Sequence, residues 1–103
     1  MADPGFVQII EYQTSRYDEI RALIDKYRDQ LNQGTARRVV SCADRDRPGF
    51  YFTVAEFDSY ESAMENSNRP ETHEFAQQMA ALGDGPATFR TLDVKAVERL
   101  GGA

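Results

Sequence analysis

Read from the N-terminus, the chain alternates short β-branched and aromatic runs with longer stretches in which apolar residues return every three or four positions. FVQIIEY, residues 6–12, follows Pro4-Gly5 and predicts a first strand. Phe6, Ile10 and Tyr12 fall on one alternating set, and Val7 and Ile9 on the other, so both faces of this strand are expected to be covered. In the next segment, TSRYDEIRALIDKYRDQLNQG, Ile20, Leu23, Ile24, Tyr27 and Leu31 recur at helical spacing among charged residues. This predicts one amphipathic helix of about four turns, capped by Ser15 and stopped at Gly34. ARRVVSCA and FYFTVAEF predict a second and third strand, and the DRDRPG turn between them makes a hairpin.

The segment DSYESAMENSNRPETHEFAQQMAALGDG predicts a broken helix. Asp58 with Glu61 fits a capping arrangement. Pro70 cannot continue a helix but is tolerated in the first turn of a new one, so the joint is placed at NSNRP. ATFRTLDV predicts the fourth strand, and the KAVERLGGA tail is poorly specified. The order β-α-β-β-α-β over a core of about 6–94 predicts a single ferredoxin-like α+β domain spanning 1–103. Its sheet is four-stranded and antiparallel, with the helices on one face. Because every strand is apolar on both alternating sets, the other sheet face is expected to pack against a second copy, giving a homodimer.

Composition removes several function classes. Twelve basic residues against seventeen acidic give a net charge of −5, which argues against a phosphate backbone or an anionic membrane as partner. A single cysteine, Cys42, allows no intrachain disulfide and no cysteine-rich zinc site, and its neighbours suggest a buried, inert thiol. Asp44 and Asp46 supply too few oxygens for a divalent cation, so no metal site is expected. MADPGFVQIIEY has neither the basic nor the apolar region of a secretory signal, and no apolar run has the length of a membrane span. The expectation is a soluble, cytoplasmic protein.

The stretches FYFTVAEFDSYESAM (50–64) and PETHEFAQQMAAL (70–82) resemble the dimeric α+β barrel superfamily, in particular its antibiotic-biosynthesis-monooxygenase-like group. The features shared are a strand ending in an aromatic residue, Phe57, an acidic/serine helix start, Asp58-Ser59, and a histidine in the second helical segment, His73. The resemblance implies a ligand cavity between the sheet and the helices of one subunit. It covers monooxygenases that work on polycyclic phenols or quinols without metal or flavin, as well as heme-degrading enzymes, isomerases and members of no known activity. Heme degradation fits poorly, because its accompanying strand-one asparagine and helix tryptophan are missing: strand one carries Gln8, and the chain has no tryptophan.

On this basis the leading expectation is a monooxygenase-like enzyme for a small aromatic, phenolic or quinol compound, with no cofactor. The alternative is a noncatalytic dimeric binding or stress-response module. His73 is the candidate base, because histidine titrates near working pH. Against that, a helix turns it about 200° from Phe75, largely outward. Gln8 and Arg90 are candidates to orient a substrate anion, Tyr51 to line an aromatic cavity with Tyr12, Phe52 and Phe89, and Asn66 to flank its mouth. Each also has a plain structural reading: strand aromatics as packing, strand charges as cross-sheet pairs, and asparagine as turn chemistry.

Overall fold

A computed structural model describes residues 4–101 of the chain. The strands are β1 (Phe6–Gln13), β2 (Arg38–Ala43), β3 (Phe50–Phe57) and β4 (Thr88–Asp93), and the helices are α1 (Tyr17–Lys26), α2 (Arg28–Asn32), α3 (Tyr60–Ser67) and α4 (Pro70–Ala81). The four strands form one antiparallel sheet in the order β2-β3-β1-β4. The predicted α+β ferredoxin-like order is therefore present.

Side chains directly opposite in an antiparallel ladder share a face, so the register sorts the residues. Phe6 opposes Phe57, Gln8 opposes Ala55, Ile10 opposes Thr53 and Tyr12 opposes Tyr51. This set faces the helices. Phe6, Ala55 and Phe57 are buried with Ala63 of α3, and Phe6 meets Tyr60 edge-on at 5.4 Å. The intervening set faces away: Val7, Ile9 and Glu11 of β1, with Phe50, Phe52 and Val54 of β3. No helix covers it. Val40 of β2 and Leu92 of β4 extend the same apolar surface, and Leu92 is 45% exposed.

The first helical region departs from expectation in two ways. It breaks at Tyr27, whose backbone (φ −98°, ψ 9°) separates α1 from α2. The break coincides with a cross-helix contact. The Tyr27 ring packs edge-on against Phe75 at 5.6 Å, and its hydroxyl donates to Glu74 Oε1 (2.7 Å) while accepting from Gln78 Nε2 (2.6 Å). The N-cap of α1 is also Arg16 rather than Ser15, without a side-chain cap. Thr14 takes over locally, its hydroxyl accepting the Arg16 N–H at 2.9 Å.

The second helical region divides where Pro70 predicts, with Pro70 opening α4 behind an extended Arg69. The cap of α3 is Ser59, which accepts from the Ser62 N–H, instead of the Asp58/Glu61 pair. Asp58 instead sits within 3.2 Å of Arg37. Cys42 is exposed, not buried, because it lies on edge strand β2 on the side that the helices leave open.

Thr14 is the buried polar residue that gathers these segments, at 2% exposure. Its hydroxyl donates to the Leu82 carbonyl beyond α4 at 2.7 Å, and its N–H donates to the Gly49 carbonyl in the β2–β3 hairpin at 2.9 Å. Replacing that hydroxyl strands a carbonyl and an N–H in a buried place. Thr14→Val is expected to destabilise the domain by about 1–3 kcal/mol, read as a lower midpoint in urea with an unchanged slope.

Candidate active site

The helices pack on one face of the sheet, with Ile20 and Leu23 of α1 buried, and leave its β4 side exposed. On the helix side, Gln8 and Ile10 of β1 and Thr53 of β3 remain half-buried although they sit on the two inner strands. Phe89, opposite Ile10 on β4, is 62% exposed. The β4 side of this face is therefore open, with Ile10 and Phe89 as its apolar part, while Ala55 is buried beneath the helices. Gln8 lies on the same face, and its carboxamide makes no hydrogen bond among the described residues.

At the hairpin end of this face the tyrosines gather. Tyr51 stacks on Tyr17 of α1 at 4.3 Å with the planes 11° apart, and on Tyr12 at 5.8 Å and 26°. A shallow hollow of about 480 Å³ opens beside them, lined by the Thr14–Glu19 segment with Gly49 and Tyr51. Burial, then the neighbouring Tyr17 phenol, pushes Tyr12 above the ordinary phenol pKa, while the nearby Thr53 hydroxyl works against them. Tyr12 therefore stays a neutral O–H donor at physiological pH. Tyr27 is also raised, first by its hydrogen bond to Glu74 and then by burial.

The other candidates separate. Tyr51 and Gln8 share the helix side of the sheet. Arg90 opposes Ile9, so it lies on the opposite face, and no ion pair holds it among the described residues. Phe52 is on that opposite face too. Asn66 is engaged at the α3–α4 joint, where its Oδ1 accepts the Thr35 N–H at 3.2 Å. A side chain at Gly34 would run into that same oxygen. His73 is exposed in the first turn of α4, its N–H bonded to the Arg69 carbonyl. The charged strand residues Glu56 and Glu11 pair with Arg38 (2.9 Å) and Arg47 (3.5 Å) on the uncovered face. Residue patterns alone left out Tyr17 and the Tyr27–Glu74–Gln78 contact. Both join elements far apart in sequence, and nothing local marks them. Among the described residues, no group of three or more His, Cys, Asp or Glu side chains is arranged to hold a metal ion.

No family model matches the chain, and no curated protein resembles it in sequence. Solved structures do resemble it. SnoaB of Streptomyces nogalater, described as a cofactor-independent oxygenase, superposes with a TM-score of 0.76 at 15% identity, covering 97% of this chain and 99% of that one. A Deinococcus radiodurans protein classed with the antibiotic biosynthesis monooxygenases gives 0.75 at 12% identity, over 93% of this chain and 99% of that one. Rv0793 of Mycobacterium tuberculosis gives 0.71 at 15% identity, over 94% and 99%. The chain has the antibiotic-biosynthesis-monooxygenase-like fold. At these identities the likeness concerns the backbone alone, and an antibiotic-biosynthesis-monooxygenase-like backbone carries many chemistries.

The raised phenols give a direct check. Tyr12 and Tyr27 bind their protons more tightly folded than unfolded. Their stabilising contribution is thus intact below the ordinary phenol value of about 10 and is lost as pH rises through their raised values. An alkaline titration followed by phenolate absorbance should show late-ionising tyrosines. Tyr12→Phe and Tyr27→Phe should each remove one, and Glu74→Gln should bring Tyr27 down without moving Tyr12.

Proposed function

We propose that this protein is a cofactor-independent monooxygenase-like enzyme that oxidises a small aromatic, phenolic or quinol compound, and that it works as a homodimer. The observation that carries this reading is the open β4 side of the helix face, where Ile10 and Phe89 lie with Gln8. An apolar, aromatic floor with few polar groups suits a flat, weakly polar ligand. The likeness to an oxygenase that needs no cofactor supports the same chemistry. A phenolic substrate that loses its proton becomes electron-rich enough to react with molecular oxygen. One oxygen atom enters a ring carbon. The other leaves as water, with both electrons and hydrogens supplied by the substrate. Gln8 orients the substrate oxygen and Tyr51 packs against the ring, while Asn66 ties α3 to the loop before β2 by accepting the Thr35 N–H.

The uncovered sheet face supports the dimer. Ile9, Phe52, Val54 and Leu92 form a continuous apolar surface that a second copy would cover, enclosing Arg90 at its edge. Phe52→Asp is expected to yield a monomer by native mass spectrometry where the parent protein is a dimer. A monomeric parent would remove the interface.

Turnover is tested by oxygen consumption with a panel of quinols and hydroxylated fused-ring aromatics. His73→Ala is expected to leave the rate within about twofold, since a side chain in solvent offers little to general-base catalysis, which is worth 10²–10⁴-fold where it operates. A fall of that size would make His73 the base. A second reading, a noncatalytic dimeric binding module, draws on the exposure of β4, which leaves that side of the helix face open to water. Ligand binding without oxygen consumption by any compound would favour it.

A further inference from the structure

Three of the chain's five tyrosines meet at the hairpin end of the sheet. Tyr51 of β3 contacts both Tyr12 of β1 and Tyr17, the first residue of α1. The two contacts differ. Tyr17 and Tyr51 stack with centroids 4.3 Å apart and planes 11° from parallel, whereas Tyr12 and Tyr51 are 5.8 Å apart and inclined at 26°. The closer pair has its rings in direct contact, since non-bonded carbons rest about 3.5–4.0 Å apart. The surroundings differ as well. Tyr12 is buried, while Tyr17 and Tyr51 are partly exposed and line the hollow described above. Asp18 and Glu19 line the same hollow, so a proton leaving either exposed phenol has acceptors and solvent at hand. The remaining tyrosines stand apart. Tyr27 is buried with its hydroxyl held by Glu74 and Gln78, and Tyr60, 51% exposed, has Phe6 as its ring neighbour.

From this geometry we infer that Tyr17 and Tyr51 are an oxidative modification site, which a one-electron oxidant such as a heme peroxidase with hydrogen peroxide joins into a dityrosine. Each phenol gives up one electron and one proton and becomes a phenoxyl radical. The two radicals couple through ring carbons ortho to their oxygens, forming one carbon–carbon bond. The hydrogens on those carbons move to the oxygens, which restores both phenols. The chain loses two hydrogens in all. The peroxide takes up the two electrons and two protons and becomes two waters. Rings already in contact couple ahead of rings on separate molecules, because their encounter is settled in advance. Tyr17 lies in the first turn of α1 and is partly exposed, so its ring has room to pivot from the stack into the bonded position. Tyr12 is the poorer partner, because its ring is farther from Tyr51 and burial closes off its proton's route to water. The new bond ties α1 to β3 between residues 34 apart in sequence, and a closed loop of that length restricts the unfolded chain and so stabilises the fold.

The test treats the full-length protein carrying Tyr60→Phe with a heme peroxidase and limiting hydrogen peroxide. That substitution removes the tyrosine most open to coupling between molecules and keeps the ring that meets Phe6. Dityrosine fluorescence should appear in single chains on a denaturing gel, and the chain mass should fall by two hydrogens. Peptide mapping should join the segment holding Tyr17 to the one holding Tyr51. The linked chain should unfold at a higher urea concentration than the unlinked one. Tyr17→Phe and Tyr51→Phe keep the stacked rings and should each abolish the intrachain product, while Tyr12→Phe should leave it. The peptide map of the Tyr60→Phe protein assigns the bond even where one of these variants folds poorly. Three results overturn the site: no intrachain product under conditions that couple free tyrosine, a product that survives Tyr17→Phe, or a map that joins Tyr12 to Tyr51.

Discussion

A strand has two faces, and this chain makes both of them apolar while supplying helices for one. The rest of the molecule follows from that constraint. The helix-side set of β1 and β3 gives the buried cluster of Phe6, Ala55, Phe57 and Ala63. The opposite set leaves Ile9, Phe52 and Val54 in a surface that water meets. Burial of apolar area is worth about 25 cal/mol per Å², so a face of this kind is a standing source of association free energy. The charged pairs Arg38–Glu56 and Arg47–Glu11 border that face and limit how a second sheet can lie on it.

The helix layer is attached unevenly. It is held firmly at its ends, by Thr14 to the Leu82 carbonyl, and by Thr35 to Ser62 and Asn66. Within the layer, Tyr27 binds Glu74 and Gln78 and so joins the first helical region to the last. Towards β4 the cover thins out: every β4 residue is exposed, and Gln8 and Ile10 beside it stay half-exposed. A layer that leaves one side of its sheet uncovered keeps that side accessible to solvent.

How much of this was legible in the residues depends on how local each cause is. The alternation in FVQIIEY and FYFTVAEF places every side chain of β1 and β3 on its face, since a strand's period is two and needs no partner to define it. Pro70 marks the start of α4 because its missing N–H acts at once on its own turn. The outward position of His73 follows from helical spacing relative to Phe75. Other features depend on register or on distant contacts. That Arg90 opposes Ile9, and so faces away from Gln8, requires knowing how β1 and β4 align. The break at Tyr27 answers to α4, some fifty residues on, and no propensity of the DKYRDQ stretch announces it. Cys42 looked like a core residue because its strand is apolar. The strand's place at the sheet edge and its register on the uncovered face expose it.

The Thr14 hydroxyl also bears on how the chain reaches this state. Its bond to the Leu82 carbonyl closes a loop of 68 residues, while the Thr14 N–H waits on the β2–β3 hairpin. Closing so long a loop carries an entropic cost that nearer contacts must offset first. Pairing of β1 with β3 is such a contact, because it shortens the loop that the Thr14–Leu82 bond has to close. A single threonine thereby ties the far end of α4 to the hairpin end of the sheet.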